Sequence, residues 1–411
     1  MASGGRDGRR VFVTGMGVES CIGDTPDSLW EGLVSGRSGI RRMSLEEPLP
    51  CEVGGIVEDF EPLDYLKPQQ VRRTSRFQQL LLAAVIKAWA AAGRGRPPHA
   101  LYVGTGGGGL QEAGEVVTTL RARGWNKVNR LALLRLLPNM AAGVAAQELS
   151  VVGPVQTVNT ACASSTDAVG MGLRAVRNGG ADAVVVAGVE SWLDFPSVSS
   201  FVQLDTLSRR PAAEAERASR PFDRERDGMV PAEGAAALVL ESEESARRRG
   251  AQVQAEVLGA ASTCDASHLV TPLPDGAQAA RAVVGACADA GVEPSEVDHI
   301  SAHGTATRLN DVAETRAVKR ALGERAREVP ITAPKSVLGH ACGACGVIES
   351  VGLIMSMRHG VVPPTANLEC PDPECDLDYT PLVARPWRMT TAVKQSFGFG
   401  GQNAAVVFGA A

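Results

Sequence analysis

The chain has 411 residues, of which 44% are hydrophobic and 21% charged, with a formal net charge of −5 at pH 7. That length admits two sizeable units at ~100–200 residues per domain, and the acidic balance speaks against nucleic-acid binding, which needs a basic face. Nine cysteines spread over the chain are no secreted disulfide framework. Residues 1–10 are polar and basic with no apolar run behind them, so neither a signal peptide nor a membrane span is expected and a cytoplasmic location is.

In chain order, residues 11–15 read as a strand, followed by a loop-rich region to about 65. A strong apolar helix is predicted over 76–92, and a short strand over 101–104 running into Gly106 to Gly109. A helix over 130–149 should break near Pro138. A strand at 154–158 and a helix at 166–176 follow. Residues 181–187 have the continuous apolar character of a buried parallel strand. A strand at 235–240 and a charged helix at 244–249 close the first run. The pattern then restarts, with strands near 254–258, 298–301, 328–331, 392–396 and 404–408 and helices near 276–290, 311–321 and 346–357. Alternating strands and helices imply an α/β protein with mostly parallel sheets. Two such runs suggest a duplicated core, divided as 1–250 and 251–411.

One cysteine occupies a chemically distinctive place. Cys162, in Val158-Asn159-Thr160-Ala161-Cys162-Ala163-Ser164-Ser165, falls at a strand-to-helix turn near a helix N-terminus. Free N–H groups and the helix dipole there favour thiolate, the nucleophilic form of cysteine. Small neighbours leave room for a substrate to reach the sulfur. Three further motifs lie downstream: Ala302-His303-Gly304-Thr305-Ala306-Thr307, Pro334-Lys335-Ser336-Val337-Leu338-Gly339-His340, and Ser396-Phe397-Gly398-Phe399-Gly400-Gly401. His303 ends a predicted strand, where α/β sheets place active residues.

In order and spacing these four motifs resemble the β-ketoacyl-ACP synthases, most closely the elongating type II enzymes of the thiolase superfamily, including ketosynthases of dissociated polyketide systems. Arg220 to Gly228 and Pro364 to Leu368 extend the resemblance over essentially the whole chain. It implies the layered α-β-α-β-α thiolase fold, built from two similar halves. It also implies decarboxylative condensation of an acyl chain on Cys162 with a malonyl group on an acyl carrier protein. By the same resemblance His303 and His340 donate to the developing enolate, Lys335 orients them with Glu314 as its partner, and the backbone N–H groups of Cys162 and Phe399 hold the acyl oxyanion. Thr305 and Thr307 match positions that bind the pantetheine arm, and no metal or cofactor is implied. Cys342 and Cys345, in the turn after His340, fall where the family has small apolar residues.

Gly107 and Met229 stand where relatives carry bulkier gating side chains, so a roomier acyl pocket is expected, with His268 at its entrance. An acidic carrier calls for a basic docking surface, for which Lys67, Arg72, Arg73, Lys127, Arg130, Arg209 and Arg210 are candidates. The family forms dimers, which leaves pairing with a second copy or with a paralogue. A chain-length factor would lack the cysteine, a thiolase would carry a second catalytic cysteine, and an initiating synthase would have Asn at His340.

Overall fold

The computed structural model describes residues 8–93 and 95–411. Ten strands build its main sheet: β1 (Val11–Glu19), β2 (Ala100–Gly104), β3 (Val155–Val158), β4 (Ala183–Glu190), β5 (Gly234–Ser242), β6 (Ala255–Cys264), β7 (His299–Ser301), β8 (Ile331–Thr332), β9 (Thr391–Gly398) and β10 (Gln402–Gly409). Their spatial order is β8-β7-β9-β10-β6-β1-β5-β4-β2-β3. Read outward from the centre, β1-β5-β4-β2-β3 and β6-β10-β9-β7-β8 are the same order shifted by five strands. The two five-stranded units meet through a short antiparallel pairing of Phe12 with Glu256 and Val13 with Ala255.

The sheet is mixed rather than mostly parallel. β2 pairs in parallel with β3 and β4, and β7 with β8 and β9. β5 runs antiparallel to both β1 and β4, and β10 to both β9 and β6. β4 takes the parallel position its apolar run suggests against β2, but its other neighbour β5 runs antiparallel; burial on both faces, which all eight of its residues share, selects apolar side chains whichever way the neighbours run.

Six helices sandwich these units: α1 (Arg76–Ala91), α2 (Asn139–Leu149), α3 (Ser164–Arg177), α4 (Ala277–Ala290), α5 (Arg308–Leu322) and α6 (Cys345–His359). α1 packs on β1, β4, β5 and α2, whereas α4 packs on β6, β10 and α5. Between the units lie α3 and α6, packed against each other. α6 is buried continuously from Cys345 to Met357, as a helix enclosed on every side must be. Three apolar cores fill the spaces between these five layers. The predicted break at Pro138 is present, dividing Ala132–Leu136 from α2. The strand expected over 328–331 is only Ile331–Thr332, because Gly323–Arg327 remains in a short 3₁₀ helix.

Candidate active site

Cys162 sits in the turn from β3 to α3, buried beneath its surroundings. Ala161 just before it has φ +49°, a left-handed conformation that a small side chain tolerates best. The N-terminal end of α3 lies directly on the end of β2: a Cβ on Gly104 would fall 2.3 Å from the Ser165 nitrogen. Glycine is required there for strand and helix to touch. On the other side, a Cβ on Gly398 would come 3.1 Å from the Cys162 nitrogen. The loop carrying Phe399 therefore folds over the cysteine from the opposite half of the chain, and Phe399 stacks on Phe201 with centroids 6.1 Å apart.

His303 and His340 meet beside this sulfur. Their rings pack edge to face with centroids 5.4 Å apart. The Nδ1 of His303 lies 3.5 Å from the Lys335 ammonium. An ammonium can only donate, so Nδ1 accepts and the ring proton is left on Nε2. Burial, then the positive charges of Lys335, His340 and Lys394, hold His303 well below the usual imidazole range, and the ring is neutral. His340 turns its Nδ1 to the Cys345 sulfur at 3.2 Å and lines the same cavity as Cys162.

The thiol of Cys162 is held well below the ordinary range by a hydrogen bond from Cys342 and, against burial, by the charges of His340 and Lys335. Burial opposes charge on His340, but the negative sulfur of Cys162 beside it, with Cys345, outweighs burial and raises it to about 10. Both shifts favour the thiolate–imidazolium form of the pair. Alkylation of Cys162 by iodoacetamide, followed by peptide mass, should change little between pH 6 and 8. In His340→Asn it should rise ~10-fold per pH unit, as for an ordinary thiol below its pKa. A tenfold rise per unit in the parent would remove the thiolate.

Glu314 is not the partner of Lys335. Its carboxylate accepts from the backbone N–H groups of His303 and Gly304 at 2.6 and 2.7 Å, and from Gln395 at 2.7 Å. It fixes the chain on which His303 rides. Lys335 instead pairs with Glu349 on α6 at 2.7 Å, and Lys394 on β9 pairs with the other oxygen of Glu349 at 2.6 Å. All three are fully buried. The Lys394 ammonium also donates to the carbonyls of Ser301, Ala302 and Gln395. The sequence carries a signal for this pair: Glu349 is the one charged residue between Cys345 and Met357.

A cavity of about 560 Å³ opens over Cys162, His303 and His340, and its walls include Thr305, Thr307, Met229 and Phe399. The hydroxyls of Thr305 and Thr307 lie 3.0 Å apart. Gly107 does not line this cavity. A Cβ there would meet Leu110 Cδ1 at 2.8 Å and Glu190 Oε1 at 3.3 Å. His268 also stays out of the walls. Its Nδ1 accepts from the N–H groups of Val270 and Thr271, shaping the entrance loop whose Val270 and Thr271 face the cavity. Of the basic candidates, Lys67, Arg72, Arg73, Lys127, Arg130 and Arg209 are exposed and Arg210 is half-buried. Arg209 lines the cavity mouth and pairs with Asp205, while Arg210 pairs with Glu214.

Comparison with known proteins agrees with this arrangement. Residues 8–246 match the family described as Beta-ketoacyl synthase, N-terminal domain, and residues 254–369 match Beta-ketoacyl synthase, C-terminal domain. The chain is 40% identical over 407 residues to 3-oxoacyl-[acyl-carrier-protein] synthase 2 of Synechocystis, covering 97% of this chain and 98% of that one. The Staphylococcus aureus protein of the same name is 36% identical at the same coverage. Among solved structures, a type II polyketide ketosynthase in complex with its acyl-carrier protein superposes with a TM-score of 0.89 at 32% identity, covering 98% of this chain and 100% of that one. The ishigamide ketosynthase/chain length factor superposes at 0.92 with 33% identity and the same coverage. A chain that matches the synthase family through both halves, on a thiolase fold with a cysteine facing two histidines, belongs to the beta-ketoacyl synthases and is a condensing enzyme.

Proposed function

We propose that Cys162 takes an acyl chain from an acyl carrier protein as a thioester and joins it to the enolate of a malonyl group carried by a second one. The observation that carries this reading is the Cys162 sulfur beside two histidines whose Nδ1 atoms are both occupied, in a cavity that also holds Thr305 and Thr307. The thiolate attacks the carrier thioester, and the N–H groups of Cys162 and Phe399 hold the oxyanion. One such donor is worth ~10²–10³ in rate. His340 returns a proton to the departing pantetheine thiolate. Acylation also removes the negative charge that kept His340 protonated, so burial now leaves its ring neutral. Both histidines then present N–H donors to the malonyl thioester oxygen as carbon dioxide leaves, and the enolate carbon attacks the acyl carbonyl. Lys335 and Glu314 act as positioning residues, one setting the His303 tautomer and the other its backbone. Thr305 and Thr307 hold the pantetheine arm.

The acyl pocket takes long chains. This rests on the cavity volume and on Met229, an adaptable wall residue packed with Met43, Trp192, Leu207 and Cys342. The exposed basic side chains from Lys67 to Arg73, with Lys127 and Arg130, receive the acidic carrier. The chain functions in the cytoplasm in fatty-acid or type II polyketide synthesis, its halves being 1–250 and 251–411. No helix among the described residues is long and apolar enough to cross a membrane. Pairing with a second ketosynthase-like chain, identical or paralogous, covers two exposed features. One is the edge strand β3, bonded on one side only; the other is the apolar set Val117, Leu120, Trp125 and Leu133.

Intact mass after mixing the chain with a panel of acyl carriers tests the reading. We expect mass gain from long-chain donors, then its loss on adding malonyl carrier, with release of a 3-oxoacyl product. A strict preference for acetyl to butyryl donors would overturn the long-chain assignment. Acylation only in the presence of a paralogue would identify a heterodimer.

A further inference from the structure

The catalytic sulfur has a second sulfur beside it. Glu190, buried at the end of β4, clasps two loops: its carboxylate accepts from the N–H groups of Gly106 at 2.7 Å, Gly107 at 3.0 Å and Gly343 at 3.0 Å. Asn159 in the Cys162 turn donates to the Gly106 carbonyl at 2.9 Å. A Cβ built on Gly106 would lie 3.6 Å from the Gly343 nitrogen and 3.8 Å from the Ala161 carbonyl. The Glu190 clasp therefore holds the turn before Gly343 against the turn after Ala161, although one comes from each half of the chain. These turns carry Cys342 and Cys162; Cys342 packs on Met229, which walls the same cavity as Cys162, and the two thiols act on each other's charge. Cys342 adopts φ +38°, in a short turn held by the Glu190 clasp.

We propose that Cys162 and Cys342 are a reversible oxidation site for hydrogen peroxide or a similar small hydroperoxide. Cys162 reacts first, because it is the thiolate and it faces the open cavity. Its sulfur attacks one peroxide oxygen, the O–O bond breaks, and Cys162 sulfenic acid and hydroxide form. The Cys342 sulfur then attacks the sulfenic sulfur. The S–O bond breaks, the thiol proton leaves with the hydroxyl as water, and a Cys162–Cys342 disulfide remains. Each cysteine sulfur has lost one electron, and the two peroxide oxygens have been reduced. A dithiol returns both thiols and is itself oxidised to a disulfide. The disulfide blocks acylation and shields Cys162 from irreversible sulfinic acid. An acyl group on Cys162 blocks the oxidation in turn.

A small apolar residue would fill the Cys342 position equally well if packing against Met229, Trp192 and Leu207 were its whole role. The test compares the full chain with Cys342→Ala and Cys342→Ser after peroxide treatment, by intact mass and peptide mapping. The reading does not depend on acyl transfer, so it fails or holds separately from the proposed condensation. The parent should lose two hydrogens, yield a peptide joining Cys162 to Cys342, and regain iodoacetamide labelling of Cys162 with dithiothreitol. Both variants should instead gain oxygen on Cys162 and retain a several-fold larger fraction that dithiothreitol cannot restore. Sulfinic acid on Cys162 of the parent, a disulfide from Cys162 to any other cysteine, or equal recovery of parent and variants would overturn the proposal.

Discussion

Cys162→Ala should lose condensation by ~10⁴-fold or more, the scale on which a covalent nucleophile is missed, while the protein still folds. The side chain is small, and its immediate neighbours Ala161 and Ala163 are smaller or equal to the replacement. The fold in that turn is held instead by the backbone bonds of Ala163 to Thr160 and Ser164 to Ala161 and by the Ser164 hydroxyl. The loss should fall on acylation itself, read as the absence of mass gain from any acyl carrier. Cleavage of malonyl carrier to acetyl carrier and carbon dioxide should persist, because His303, His340 and Lys335 remain in place. The two half-reactions are thus separable by one substitution. Acyl loading of the variant within ~10-fold of the parent would reassign the nucleophile, and the adjacent Cys342 would be the first candidate.

Glu349→Ala should be the most destabilising single change near the site. Its carboxylate is shared by two buried ammonium groups, Lys335 and Lys394. Removing one partner of a buried pair costs ~3–5 kcal/mol, because the remaining charge cannot return to water. Here two like charges would be left facing each other inside the protein. Thermal or urea unfolding measures the loss, and a variant within ~1 kcal/mol of the parent would show that the pairing contributes little net stability. The pH dependence has a definite sign. Attraction to the two lysines holds Glu349, despite burial, below the ordinary value of 4.5. Its contribution is therefore present in full above that value and is lost as pH falls through the lower folded value. The gap between parent and variant should narrow on acidification and stay constant around neutrality. Surviving Glu349→Ala protein should also show weaker catalysis, since Lys335 would no longer be anchored against the Nδ1 of His303.

Much of the chemistry was legible in the sequence because it depends on local backbone form. The turn that presents Cys162 lies between an apolar strand and a helix start. The strand that ends just before His303, and the Gly-bracketed loop at Phe399, follow from residue types at fixed local spacing. The broken helix at Pro138 and the two successive α/β runs were equally readable. These features require only the chain within about ten residues, where steric and hydrogen-bonding preferences act directly.

The partners of those residues lie far along the chain, and packing alone brings them together. Lys335 meets Glu349 and Lys394 because α6 and β9 converge in the central layers. Glu314 turns its carboxylate to the backbone at His303 rather than to Lys335. Strand direction was hidden for a similar reason, since burial selects the same apolar residues in parallel and antiparallel neighbours. Gly107 and His268 looked like pocket residues, yet one packs under Leu110 and Glu190 and the other caps the entrance loop. The sequence by itself placed Cys162 at a strand-to-helix turn, because short-range stereochemistry encodes such a turn, and its four motifs carried the resemblance that implied the roles of the histidines and the class of fold. Only the tertiary structure decided which charges pair and which sulfur faces Cys162, because pairing depends on distances between segments that no local pattern records.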